Sequence, residues 1–296
     1  MERRRLGADG PEITVVGVGT APIGTMPVGS AREWIYWGHQ DEGAAIAAIR
    51  AALDAGANWI DTAPFYGWGR AEEVVRRALD GRRDDVLLFT KCGTMPDPDR
   101  VSRMDNRPEA IRADLEASLL RLGVDHVDLL QIHDLDRTTP IEESWGELQR
   151  LRGEGKIRWA GLSNHPGDLV ERAHAVAPVT SCQESLSLLE GPRHPDVLDV
   201  VRRHGIGLLC WAPLASGFLV DGFSTEQLEP DDFRRSSPLA QRADEIAAHA
   251  HDADSRGRTL RRHAIAWVLE QPAVTAAIVG VRNAREGSEV AELAAD

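Results

Sequence analysis

Four side chains able to relay a proton lie at, or just after, β-rich runs of this chain: Asp61 and Tyr66 in NWIDTAPFYGWGRAEE, Lys91 in LLFTKCG and His133 in LLQIHD. A phenol, with an unperturbed pKa near ~10, is a poor acid at neutral pH; a neighbouring ammonium stabilises its phenolate and lowers that value. Asp61 would keep Lys91 charged and oriented, and His133 would hydrogen-bond the substrate oxygen that Tyr66 protonates. Singly, each residue has an ordinary structural reading: Asp61 a cap or turn residue, Lys91 a solvated strand end, His133 a packing histidine. Pro64 and Gly67 separate Asp61 from the next helix, however, and Arg70-Ala71-Glu72-Glu73 reads as that helix's own first turn. The four residues act together only if the fold brings separate strand ends to one place.

The patterning predicts such a fold. Eight short β-rich runs alternate with longer helical segments: Val15–Gly19, Asn58–Asp61, Val86–Lys91, Val127–His133, Ile157–Ser163, Thr180–Gln183, Ile206–Trp211 and Thr275–Val279. Between them, Glu42 to Ala55 carries alanines suited to close packing, and Arg107 to Leu122 repeats apolar residues at a spacing of three and four. Eight βα units close most simply into a (β/α)₈ TIM barrel, whose strand C-termini share one rim. Ser163, Asn164 and Gln183 then join the same mouth. The opening RRRLGADGPEITVV predicts an N-terminal β-hairpin turning at Ala8-Asp9-Gly10. No linker composition divides residues 1–296, so a single barrel domain is expected. Residues 221–258, polar and longer than a βα loop requires, form an excursion between the seventh strand and its helix. In the loop after the first strand, Trp34, Tyr36 and Trp37 with His39 suggest a substrate-facing surface. Gly17-Val18-Gly19 lacks the third glycine of a dinucleotide fingerprint and carries no weight.

Composition narrows the partners. A formal charge of −13, with no basic run beyond Arg3-Arg4-Arg5, disfavours nucleic acid and anionic membranes. An anionic ligand would need local arginines or backbone N–H groups. Cys92, Cys182 and Cys210 are widely spaced and form no CxxC pair, so no disulfide framework and no metal site is expected, and a reducing cytoplasm fits. Cys92 and Cys210 read as packing residues, with a lowered pKa at Cys92, beside Lys91, as the alternative. No apolar run follows the N-terminal arginines and none approaches the ~18 residues of a membrane span, so neither signal peptide nor transmembrane helix is expected.

DTAPFYGWGRAEE, LFTKCG, LLQIHD and GLSN, in that order, resemble the signatures of the aldo-keto reductases, and the resemblance extends from RRRLGADG to the last strand. It implies a (β/α)₈ barrel, a nicotinamide cofactor held without a Rossmann domain, and a catalytic tetrad of Asp61, Tyr66, Lys91 and His133. It places Ser163, Asn164 and Gln183 at the nicotinamide carboxamide, with Trp211 stacked on the ring where a tyrosine is commoner. The segment Pro213, Leu214, Ala215, Ser216, Gly217 resembles a pyrophosphate loop. Gly19, Thr20 and Asp61, then Gly280, Arg282, Glu286 and Glu289 near the last strand, complete the implied cofactor contacts. With Trp34 and Trp37 of the aromatic loop, Tyr66 and His133 make up the candidate substrate contacts.

Two positions depart from the family pattern. Val290 replaces the asparagine expected after Glu289, and Glu286 falls where many members carry Arg or Gln near the 2′-phosphate. Arg282 and Arg285 could nonetheless reach that phosphate, so NADPH is expected, with NADH the alternative. The resulting expectation is an NAD(P)H-dependent oxidoreductase acting on a small-molecule aldehyde or ketone, such as a sugar or aromatic carbonyl. The other classes are a cofactor-binding regulatory module, like the potassium-channel β subunits, and an aldolase with Lys91 as Schiff-base nucleophile.

Overall fold

The computed structural model describes residues 1–24, 36–96 and 102–294. Strands β1 (Arg3–Arg5) and β2 (Glu12–Thr14) form the expected antiparallel hairpin. The barrel strands begin with β3 (Val16–Gly19), β4 (Trp59–Asp61) and β5 (Leu87–Cys92). A second hairpin, β6 (Thr94–Pro96) and β7 (Ser102–Met104), follows β5. The barrel continues with β8 (Val127–Ile132), β9 (Ile157–Ser163), β10 (Ser181–Ser185), β11 (Gly207–Trp211) and β12 (Ala276–Gly280). These eight strands close in the order β10-β11-β12-β3-β4-β5-β8-β9.

Helices α1 (Glu42–Asp54), α2 (Arg70–Ala78), α3 (Pro108–Leu122), α4 (Ile141–Gly153), α5 (Gly167–Val176) and α6 (Val197–His204) alternate with the strands. Then come α7 (Ala243–Ser255), α8 (Leu260–Leu269) and, after β12, the short α9 (Ala284–Ser288) and α10 (Val290–Leu293). Residues 221–258 thus run between β11 and α8 as 3₁₀ turns followed by α7.

Strand alternation sorts the side chains into two layers. Outward residues such as Ile60, Leu88 and Leu130 pack beneath the helices in the larger apolar cluster. Inward residues Trp59, Phe89, Leu129 and Leu209 fill the barrel, with Leu6 and Ile13 closing one end of that cluster. The Trp59 and Phe89 rings lie 5.2 Å apart, and the Trp59 indole donates to the Thr14 carbonyl at 2.8 Å. A Cβ on Gly17 would fall 2.0 Å from the Trp59 ring, so that glycine exists to admit an indole. In the same alternation Asp61, Lys91 and Gln131 follow Trp59, Phe89 and Leu129 by two residues, so the polar layer lies directly above the apolar one. α1 carries its alanines for a comparable reason: a Cβ on Gly287 of α9 would lie 2.2 Å from the Ala48 carbonyl oxygen, a backbone-to-backbone approach that larger residues would prevent.

Candidate active site

Asp61 does not cap α2, which starts after Gly69 at φ 90°. Its carboxylate instead faces Lys91, with Nζ 2.6 Å from Oδ1. The ammonium also donates to the Thr62 carbonyl at 3.0 Å and to the Tyr66 hydroxyl at 3.2 Å. The other carboxylate oxygen of Asp61 accepts from Gln183 Nε2 at 2.9 Å and from Gln131 Nε2 at 3.3 Å. Lys91 is wholly buried and Asp61 nearly so. Burial by itself would push the Lys91 pKa down; Asp61 and Tyr66 more than reverse that and hold it above the ordinary value.

Tyr66 differs from the expectation. Burial, with the Asp61 charge adding to it, raises the phenol above its ordinary pKa even though Lys91 opposes both. The ammonium therefore limits a desolvation penalty without overcoming it. His133 stands beside the phenol, its ring 5.8 Å from that of Tyr66 and nearly perpendicular. Burial and the adjacent Lys91 lower its pKa well below the usual histidine range, so the imidazole is neutral. Its Nδ1 is enclosed and has no hydrogen-bond partner among the described residues. With no carboxylate paired to it among the described residues to stabilise an imidazolium, His133 is suited to donating a hydrogen bond and unsuited to losing a proton to substrate.

A cavity of about 630 Å³ runs from Tyr66 and His133 to Glu289 and Leu293. Among the residues named from sequence, it is lined by Gly19, Thr20, Trp37, Asp61, Tyr66 and His133; by Ser163, Asn164, Gln183 and Trp211; by Pro213, Leu214, Ser216 and Gly217; and by Gly280, Arg282, Glu286 and Glu289. Lys91 sits behind Tyr66, and Trp34 lies outside the described residues. Tyr36 is turned to structural use, its hydroxyl donating to Glu229 at 2.6 Å, and His39 is exposed beside it. Arg285 is not among the lining residues; it pairs with Glu289 at 3.0 Å on the surface. Cys92 is buried in the apolar core, which fits the packing reading, and the alternative of a lowered thiol is not found, because burial, with Asp114 nearby, pushes it up.

Backbone strain concentrates at this cavity. Of the five non-glycine residues with positive φ among the described residues, Trp68, Asn164, Ala212 and Ser216 line it. Each such conformation costs roughly 1–2 kcal/mol for an L-residue. Around the loop after β11 the left-handed turns at Ser216 and Gly217 bend the backbone into a concave form suited to an anion. Arg234 completes it: its Nη1 would be 3.4 Å from a Cβ on Gly217, and Asp232 holds the guanidinium at 2.9 and 2.6 Å. Sequence reading missed Arg234, Arg261 and Gln131. The first two sit among ordinary charged residues and the third in a run read as buried strand, so only their placement marks them.

The residues present fit a nicotinamide dinucleotide, with the polar side chains of Ser163, Asn164 and Gln183 beside the Asp61–Lys91–Tyr66 network and an anion-suited loop with three arginines, Arg234, Arg261 and Arg282, further along. The molecule is thus a closed parallel barrel with a buried, hydrogen-bonded Asp61–Lys91–Tyr66 network at its mouth. The model of the aldo/keto reductase family matches residues 22–295, and the chain belongs to that family. It is 34% identical, over 304 aligned residues, to aldo-keto reductase YhdN of Bacillus subtilis (strain 168), covering 99% of this chain and 88% of the relative. Among solved structures, the glycerol dehydrogenase AKR11B4 from Gluconobacter oxydans superposes with a TM-score of 0.85 at 34% identity, covering 98% and 89% of the two chains. Aldo-keto reductase AKR11C1 from Bacillus halodurans, in its holo form, shares the fold with a TM-score of 0.81 at 22% identity, covering 100% and 91%.

Proposed function

We propose that the chain reduces an aldehyde or ketone to the alcohol with NAD(P)H, Tyr66 supplying the proton. The observation that carries this is Lys91 bridging the Asp61 carboxylate and the Tyr66 hydroxyl beside a neutral His133. The reduced nicotinamide, when bound, supplies the hydride. Tyr66 donates its proton to the carbonyl oxygen as charge develops there, and Lys91 stabilises the phenolate left behind. His133 holds the same oxygen by a hydrogen bond, and Phe65, Trp37 and Trp68 give the mouth apolar walls that exclude water. The structural relative named as a glycerol dehydrogenase makes hydroxylated carbonyls the first compounds to try. Loss of reduced-cofactor absorbance with a panel of aldehydes, ketones and keto-sugars tests the reading; cofactor binding without turnover on any of them would leave a regulatory role in its place. The three cysteines are buried and unbridged, which suits a reducing compartment such as the cytoplasm. Among the described residues, no helix is long and apolar enough to cross a membrane.

His133→Ala should raise KM as well as lower kcat, because it removes the group that positions the carbonyl. A variant with wild-type KM would limit His133 to a structural part.

NADPH is the proposed cofactor. Arg282 lines the cavity, its guanidinium oriented by Gln40 Oε1 at 3.0 Å and the His39 carbonyl at 2.9 Å. Glu286 would repel a 2′-phosphate, but its two oxygens already accept from the Arg282 backbone N–H at 2.7 Å and from Asn283 Nδ2 at 2.7 Å, which offsets part of its charge. A charge-assisted contact is worth roughly 1.5–3 kcal/mol, or about ten- to a hundredfold in affinity. Titration should therefore show NADPH bound more tightly by that factor, with Arg282→Ala closing most of the gap. Equal or tighter NADH binding by the wild type would make Glu286 the selecting residue.

A further inference from the structure

Asn164 is held in one orientation by neighbours that can act in only one sense. An indole N–H donates and never accepts, so Trp211 Nε1, 3.1 Å away, can meet only the amide oxygen Oδ1. On the other side the amide nitrogen donates to the His133 carbonyl at 3.1 Å and to Ser163 Oγ at 3.1 Å; a carbonyl only accepts, which forces the same assignment. The backbone of Asn164 is left-handed, at φ 56°, and the residue is 6% exposed, so the amide has little freedom to turn away.

The neighbouring groups are committed in a matching way. Gln183 directs its nitrogen to Asp61 Oδ2 at 2.9 Å and Gln131 Oε1 at 3.4 Å, which leaves its own oxygen available. Ser163, already accepting from Asn164, keeps its hydroxyl proton to donate. The cleft therefore offers two acceptors, Asn164 Oδ1 and Gln183 Oε1, and one donor, Ser163 Oγ. A primary carboxamide offers two N–H donors and one C=O acceptor, the complement of that set.

We propose that Trp211 is a positioning residue whose indole N–H, by pinning the Asn164 amide, makes this cleft selective for a primary carboxamide. The inference rests on the nicotinamide reading above and adds to Trp211 a task that a phenylalanine or tyrosine ring, able to stack, does not perform from the same atom. If the pin is lost, the His133 carbonyl and Ser163 Oγ still set which end of the amide faces them, but the donor that fixes the tilt of the oxygen goes, and one of the two acceptors is weakened.

Dissociation constants measured for three ligands decide the matter: the oxidised dinucleotide, its 3-acetylpyridine analogue, in which a methyl ketone replaces the amide, and the adenosine bisphosphate or diphosphate half alone. The series, 2′-phosphorylated or not, is the one the wild type binds more tightly. Wild type should prefer the carboxamide by about tenfold or more, since the analogue leaves both acceptors without a donor. Trp211→Phe should bind the dinucleotide about five- to tenfold more weakly and prefer it over the analogue by less than about threefold, with the adenosine half bound within about twofold of wild type. Trp211→Tyr should behave like the phenylalanine variant. Retention of the tenfold preference in either variant would overturn the proposal, as would its absence in the wild type. Parallel loss of the adenosine half would reduce Trp211 to a packing residue and overturn it as well. A wild type that shows this preference yet oxidises no reduced cofactor with any carbonyl leaves the positioning role standing and sinks the reductase reading alone.

Discussion

Tyr66→Phe should lower kcat by about two to four orders of magnitude, the range for loss of a positioned general acid, while cofactor affinity stays within a few-fold. The substitution deletes one oxygen and leaves the ring against His133, 5.8 Å away, so the mouth keeps its shape. His133 is a poor replacement acid: burial and Lys91 keep it neutral, and no described group stabilises its cation. Because the hydroxyl's function is exercised as charge develops on the carbonyl oxygen, the loss should appear in kcat and kcat/KM together. Steady-state and single-turnover rates provide the measurement. A variant within a few-fold of wild type would remove Tyr66 from the proton-donating role.

Lys91→Met should be as damaging to the rate, and unlike the tyrosine change it should also cost stability. Burial and Asp61 both raise the Tyr66 pKa, and Lys91 is the group that opposes them. Without the ammonium the phenol becomes a still weaker acid, so the pH at which the phenolate forms should move upward in the alcohol-oxidising direction. Asp61, 2% exposed, would meanwhile keep a buried carboxylate whose remaining side-chain partners among the described residues are Gln183 and Gln131. Removing one partner of a buried ion pair typically costs about 3–5 kcal/mol, so chemical denaturation should detect the change. Lys91→Met with Asp61→Asn should regain much of that stability and none of the activity, which separates a folding defect from a catalytic one. The Tyr66→Phe/Lys91→Met double variant should be no slower, within a few-fold, than the slower single variant, because the two groups act as one unit. Full additivity of the two losses would show that they act independently.

The barrel was legible because periodicity is a local property. A β-rich run bounded by turns, repeated eight times with helices between, already specifies parallel strands and a shared rim. The excursion at residues 221–258 was visible as polar length, whereas its contribution was not: Arg234 reaches Gly217 only through a turn fixed by Asp232. Arg285 was credited with a reach that Glu289 denies it, since it lies on the first turn of α9 with its side chain at the surface, paired along the helix with Glu289.

By itself, then, the order of residues determined which side chains end the strands, because alternation along a strand places every second residue inside and the closed barrel brings all C-terminal ends together. Asp61, Lys91 and His133 follow from that rule, and Tyr66 lies in the loop just beyond one of those ends. Only the tertiary structure decided how those groups are charged and which way their polar atoms face. A pKa depends on how much water the packing removes, which is why Tyr66 and Cys92 are raised where a nearby ammonium suggested lowering. The orientation of an amide such as Asn164 depends on whether its neighbours donate or accept, and those neighbours, Trp211 at the end of β11 and the His133 carbonyl just after β8, lie far apart in the chain.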